Sequence, residues 1–176
     1  MILTLAILLF VTLQRLGELM LARRNTARLF ERGAVEVAPR HYPLIVLLHA
    51  AWLAGLWTLA LGGRTAPPDL VLIALFLVLQ GLRLWVLATL GSRWTTRILV
   101  LPDETLVRRG PYRFLNHPNY AVVASEILIL PMALGLVWYA MAFSVLNAGL
   151  LWLRISAEDR ALRGAHRIGD PRPGPS

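Results

Sequence analysis

Long apolar runs separated by short arginine-rich segments make up most of this chain of 176 residues. The runs cover residues 1–21, 43–61, 70–90, 120–135 and 138–153. The first three reach the ~20 residues that a helix needs to cross the hydrocarbon core of a bilayer. The pattern therefore predicts an all-α fold, a polytopic membrane bundle of about five transmembrane helices.

The last two runs are shorter, at about 15 residues each or roughly 23 Å of straight helix. Because the hydrocarbon core is ~30 Å thick, two alternatives follow: the helices extend past the apolar runs, or they form a hairpin that enters the membrane and returns. Both alternatives put the polar segment 91–119 and the C-terminus on the same side of the membrane.

The composition agrees with lipid as the solvent for much of the surface. Hydrophobic residues make up 57% of the chain and charged residues 16%, against ~45–50% and ~25% in an average soluble domain. The chain has no cysteine, which excludes disulfides, thiol chemistry and cysteine-based zinc sites. We expect one membrane-embedded domain over residues 1–165 and a disordered tail over 166–176, where three prolines and two glycines occur.

The positive charges indicate an orientation in the membrane. All 18 basic residues are arginines, and fifteen of them form three clusters of five, within residues 23–40, 93–113 and 154–172. Arg64 stands alone on the opposite side. Because cytoplasmic loops carry an excess of arginine and lysine, we expect the N-terminus outside, and the clusters and the C-terminus in the cytoplasm of a bacterial inner membrane. Clusters between apolar runs are typical of membrane loops, so the net charge of +8 does not indicate a nucleic-acid partner.

One polar segment, residues 104–120, concentrates residue types that carry chemistry. Gly110-Pro111 and His117-Pro118 interrupt helical structure twice, which exposes backbone groups to ligands. Aromatic side chains and arginines accompany the histidine. Two interpretations remain open: a ligand-binding segment, or an interfacial loop whose tyrosines lie at the level of the lipid headgroups.

A second candidate follows the last apolar run. Arg154 and Glu158 are four residues apart and lie on one face of a helix. They are either a surface ion pair of small energetic value, or an anionic site for a cationic cofactor beside a cation that orients an anionic substrate.

Polar residues inside the apolar runs form the third candidate. Arg15 and Glu18, three residues apart, can pair on the first helix. Glu126 and Asn147 lie in the last two runs, where ionisable groups are costly in lipid and suggest function. The alternative is a hydrogen bond between these two residues that joins their helices. The four histidines have no metal-ligand spacing, so we expect no metal site.

Taken together, these residues resemble the isoprenylcysteine carboxyl methyltransferase family of integral membrane methyltransferases. The resemblance covers residues 97–162 and rests on Gly110-Pro-Tyr-Arg-Phe-Leu-Asn-His-Pro-Asn-Tyr120, on Asn147, and on Arg154-Ile-x-x-Glu158-Asp159. The chain departs from the family pattern at Asn116, where an arginine usually precedes His-Pro, and at Asp159, where the family has a second glutamate. Segments near the N-terminus resemble a small bacterial branch, whose members often methylate phenolic lipids.

The resemblance implies S-adenosyl-L-methionine as the cofactor and a set of contacts for it. These are Arg97, Glu104, Thr105, Leu106, Val107, Tyr112, His117, Pro118, Asn119, Tyr120 and Glu158. It also implies that Arg154 faces the reacting group of the substrate, so that Arg154, Glu158 and His117 are the candidate catalytic residues. For a base, the alternatives are His117 and Glu126.

The implied activity is methyl transfer to an oxygen, a carboxylate or a phenol, of a lipophilic substrate such as an isoprenylcysteine-like or phenolic polyketide lipid. The expected partners are this small molecule and membrane lipid, with no nucleic acid and no obligatory protein partner. Two other functions remain open. A membrane-embedded reductase of the sterol type would need further contacts for its larger NADPH cofactor. A non-enzymatic membrane adaptor would leave the 110–120 run unexplained.

Overall fold

The computed structural model describes residues 1–37, 42–101 and 107–168, with side chains described as far as residue 156. The helices are α1 (Ile2–Glu31), α2 (Tyr42–Leu61), α3 (Leu70–Leu90), α4 (Pro118–Ala133) and α5 (Val137–Ile168). Two short strands, β1 (Val35–Glu36) and β2 (Leu99–Val100), pair antiparallel, and short 3-10 helices cover Gly91–Arg93 and Gly110–Arg113. The predicted all-α membrane bundle is confirmed.

The helices coincide largely with the apolar runs, but α1 and α5 extend well past theirs. In the described part of the chain, α1, α2, α3 and the first part of α5 are long and apolar enough to cross a membrane. Helix α4 is apolar but has 16 residues, or ~24 Å of helix. Helix α5 continues to Ile168, and residues 169–176 lie outside the described residues, so the disordered tail stays a prediction.

The short helix α4 is the most enclosed of the bundle. Eight of its 16 residues are buried, compared with four of the 20 in α2. It packs along both α3 and α5, and its Ile127 and Leu130 belong to a core cluster with Leu8, Trp52 and Phe76 of three other helices. A helix with so little lipid contact can be short without leaving a polar end in the hydrocarbon.

The outer helices present apolar side chains to their surroundings. Buried positions along α1 from Thr4 to Leu29 are three, four or seven residues apart, so one narrow stripe faces the bundle. Large apolar residues on the other faces are exposed, among them Phe10, Leu47 and Leu77. An exposed apolar surface of this extent is stable in lipid. The chain is therefore an integral membrane protein.

A layer of loops closes one end of the bundle. The side chain of Asn25, buried on α1, donates hydrogen bonds to the carbonyl oxygens of Gly91 at 3.1 Å and Trp94 at 2.8 Å. Gly110 has φ of +58°, and a Cβ there would lie 2.4 Å from Oγ1 of Thr89, so only glycine fits. These contacts hold the segments before and after β2 against the ends of α1 and α3.

Below this layer, a buried network of charged side chains joins α1, α3 and α4. Glu126 on α4 has no exposed surface. Its carboxylate accepts hydrogen bonds from Nη2 of Arg15 at 2.7 Å, from Nε2 of Gln80 at 2.8 Å, and from Nη1 of Arg83. Glu126 is not bonded to Asn147, so the proposed hydrogen bond between these two residues is wrong.

Glu18 on α1 is the second carboxylate of the network. It accepts from Nε of Arg83 at 2.5 Å, from Nη2 of Arg83 at 2.8 Å, and from Nη1 of Arg15 at 3.0 Å. The predicted pairing of Arg15 with Glu18 is therefore confirmed. Two arginines and two glutamates balance in charge, which lowers the cost of burying them within the membrane.

We expect Arg83→Met to destabilise the protein by ~3–5 kcal/mol, because it leaves two buried carboxylates without their shared partner. Unfolding in mixed micelles, followed by circular dichroism, measures this loss. The matched control is Arg97→Met. Arg97 pairs with Glu36 at 2.7 Å, but its side chain is 39% exposed, so we expect a loss of ~1 kcal/mol or less. Equal losses in the two variants would contradict the role of the network.

Candidate active site

All five helices and the loop after α3 contribute to one cavity of about 290 Å³. Its upper end lies at the loop layer, where Thr96, Tyr120 and Arg154 line it. Its walls are mainly apolar and include Ile45 and Val123. A mostly apolar cavity with a few polar groups at defined positions is typical of sites for small lipophilic molecules.

Arg154 is the central cation of the upper end. It is 8% exposed. Its Nε donates to the hydroxyl of Tyr120 at 2.8 Å, and its Nη2 donates to the carbonyl of Thr96 at 2.7 Å. The guanidinium carbon lies 5.4 Å from the centre of the Tyr120 ring. Arg154 is thus buried, and its partners among the described residues are neutral.

The start of α4 carries three other predicted residues, His117, Pro118 and Asn119. Of these, Asn119 lines the cavity, whereas His117 and Pro118 do not. Pro118 begins the helix, a position where the missing N–H of proline costs nothing. The rings of His117 and Tyr120 stack with centroids 5.3 Å apart and planes 7° from parallel. Asn119 lines the cavity, and its buried Oδ1 has no hydrogen-bond partner among the described residues.

Other predicted residues lie away from the cavity. Arg97 pairs with Glu36 and lies 5.0 Å from the centre of the Tyr42 ring. Tyr112 packs on the buried cluster of Ala22, Val86 and Trp94. Arg97, Tyr112 and Val107 do not line the cavity.

The remaining predicted contacts lie partly outside the residues that the structure describes. Glu104, Thr105 and Leu106 are outside the described residues. For Glu158, the backbone lies on α5 one turn after Arg154, and the side chain is outside the described part.

Several cavity residues were not predicted from the sequence. Thr96 contributes its backbone carbonyl. Every residue type has this group, so the sequence gives no sign of its role. The Oγ1 of Thr96 donates to the hydroxyl of Tyr42 at 3.3 Å, and Trp94 presents an indole N–H without a partner among the described residues. His49 on α2 also lines the cavity. For His49, the sequence did offer a signal, because it is an ionisable residue inside an apolar run and such residues at membrane depth suggest function.

The cavity reaches the lipid-facing surface between α1 and α2. Leu16, Val46 and Ala50 line it and are also exposed, Leu16 by 52% and Val46 by 38%. A hydrophobic molecule in the bilayer can therefore reach the cavity without passing through water.

Comparison with known proteins places these observations in a family context. The sequence model of the isoprenylcysteine carboxyl methyltransferase (ICMT) family matches residues 72–164, which is just over half of the chain. The chain is 40% identical to the uncharacterized protein YpbQ of Bacillus subtilis (strain 168), over 85% of this chain and 90% of that protein. It is 23% identical to an uncharacterized protein of Haemophilus influenzae, over 84% of this chain and 88% of the relative. No solved structure matches the chain.

Proposed function

The chain belongs to the isoprenylcysteine carboxyl methyltransferase family, and we propose that it transfers a methyl group from S-adenosyl-L-methionine to an oxygen of a lipophilic substrate. Family membership implies a membrane methyltransferase. The cofactor, the oxygen acceptor and the site residues are our proposal. The acceptor is a carboxylate or a phenol, as in an isoprenylcysteine-like or phenolic polyketide lipid.

The observation that carries this proposal is the buried guanidinium of Arg154 at the end of a cavity open to lipid. Its described partners, Tyr120 and Thr96, are neutral, so no charge among the described side chains that it contacts compensates its own. A buried cation of this kind attracts an oxygen anion, and its planar fork holds that oxygen in a fixed direction. The apolar walls suit the hydrocarbon part of the same substrate.

The residues around His117 fit the proposed cofactor. When bound, S-adenosyl-L-methionine supplies an electrophilic methyl group on a positively charged sulfur. The Oδ1 of Asn119 has no hydrogen-bond partner among the described residues. The ring of Tyr120, on which His117 stacks, has an aromatic face that attracts cations, and Glu158 adds negative charge one turn beyond Arg154. We propose that these residues hold and orient the cofactor, because fixed geometry contributes much of the rate in such transfers.

Arg154 gives the acceptor its reactive form. A carboxylate is ionised at neutral pH, whereas a phenol has a pKa of ~10 and reacts as the phenolate. The guanidinium stabilises that anion after the phenol has given its proton to water or to His117, the other candidate base. Glu126 is not the base in this proposal, since both of its oxygens accept hydrogen bonds from other side chains and it does not line the cavity.

The first prediction concerns the cofactor. Wild-type protein should bind S-adenosylhomocysteine in calorimetry and should not bind NADPH. We expect His117→Ala to weaken this binding about tenfold or more, because the stacked ring beside Tyr120 is lost. An unchanged melting temperature of the variant is the control for folding. Binding of NADPH alone would favour a reductase, and binding of neither molecule would favour an adaptor; both results would overturn the proposal.

The second prediction separates the roles of Arg154 and Glu158. Arg154→Lys keeps the charge but loses the planar fork, so turnover should fall ~100-fold with nearly unchanged affinity for S-adenosylhomocysteine. Glu158→Gln should mainly weaken cofactor binding. Arg113→Lys, at an exposed arginine in the same end of the bundle, is the matched control and should leave both quantities unchanged. Small and similar losses in the Arg154 and Glu158 variants would argue against this division.

The third prediction concerns orientation. We propose that the loop layer faces the cytoplasm, where the water-soluble cofactor is present and where the positive-inside rule puts the arginine clusters. A reporter fused after Ser176 should then be active only if it functions in the cytoplasm. Activity of a periplasmic reporter would reverse the orientation and remove the route for the cofactor.

A further inference from the structure

The cavity extends below Arg154, and its deep end is polar. Tyr42, which contacts Thr96 at the upper end, lies seven residues before His49 on α2. Two helical turns correspond to ~10 Å along the helix. At that depth His49, Arg15, Glu18 and Arg83 all line the cavity. A binding site for a hydrocarbon tail alone does not need polar groups there.

The deep end has no net charge. The positive charges of Arg15 and Arg83 are balanced by the negative charges of Glu18 and Glu126, with which the two arginines form ion pairs. An anion or a cation bound here would disturb a balanced network within the membrane, at a high energetic cost. The arrangement therefore favours an uncharged polar group.

His49 and Arg15 each have a hydrogen-bonding atom at this depth with no partner among the described residues. The Nδ1 of His49 lies 2.8 Å from the carbonyl of Ile45, which can only accept, so in the neutral ring Nδ1 donates and Nε2 is the acceptor. No described residue donates to this Nε2. The buried Nε of Arg15 has a hydrogen to donate and no partner among the described residues. Leaving such groups unpaired costs free energy, which a bound ligand can recover.

We propose that His49 and Arg15 form a second recognition site, which binds an uncharged hydroxyl group of the acceptor ~10 Å from the oxygen that is methylated. A hydroxyl suits the pair because it donates to Nε2 of His49 and accepts from Nε of Arg15. This inference rests on the proposed function for the identity of the reacting end. The protein thereby prefers hydroxylated lipids over lipids with a purely hydrocarbon tail.

The experiment compares two acceptors that differ by one hydroxyl. Pairs of long-chain phenols and of long-chain carboxylic acids are made with and without a hydroxyl ~10 Å from the reacting oxygen. Calorimetry with cofactor-free protein in micelles measures the affinity for each. Wild-type protein should bind the hydroxylated member about tenfold more tightly in at least one pair.

The variant His49→Phe keeps the ring and removes the acceptor atom. It should lose the tenfold preference, and His49→Gln, which retains an acceptor oxygen, should restore part of it. Arg15 is left intact, because its loss would break the ionic network. In turnover assays the loss should appear in KM, with kcat and the affinity for S-adenosylhomocysteine unchanged.

Equal affinities for both members of each pair in the wild type, or a preference that persists in His49→Phe, would overturn this inference. Either result leaves the proposed methyl transfer intact if S-adenosylhomocysteine still binds. Conversely, a protein that discriminates between the acceptors but does not bind S-adenosylhomocysteine would refute the proposed function and retain the second recognition site.

Discussion

A carboxylate with no exposed surface, at membrane depth, determines how the bundle is assembled. Glu126 lies on the most enclosed helix, where an unpaired charge would be very costly. Its partners Arg15 and Arg83 come from α1 and α3, and the same two arginines bind Glu18. Lipid provides no hydrophobic force between helices, so such polar contacts do much to specify which faces meet. The network thus sets the position of α1 and α3 around α4.

The loop layer depends on a second set of contacts, which joins the ends of the same helices. Asn25 on α1 holds the turn after α3, and Arg154 on α5 connects the first turn of α4 to the carbonyl of Thr96. The residue that we propose to hold the acceptor oxygen is therefore also the residue that fastens α5 to the loop layer. Its guanidinium is oriented before any substrate arrives, which favours fixed geometry at the reacting centre.

The cavity lies between these two polar layers. Because the ionic network bounds it below and the loop layer bounds it above, its length is set by the spacing of the two layers along the helices. Its sides are apolar, and the gap beside Leu16 and Val46 opens toward lipid. A lipophilic molecule in this space meets polar groups at both ends, and we propose that this arrangement gives the protein a preference among lipids.

Features that depend on neighbouring residues follow directly from the sequence. Apolar runs of sufficient length specify helices in lipid, the spacing of Arg15 and Glu18 specifies their pairing on one helix, and the run from Gly110 to Tyr120 with Arg154 indicates the family. The tertiary structure alone decided the contacts between distant residues. Glu126 bonds to Arg15, 111 positions away, and not to Asn147, while Tyr112 packs in a core cluster outside the cavity. The periodicity of a run shows which residues share a helix face, but the partner of that face is decided by how all five helices bury their polar groups together.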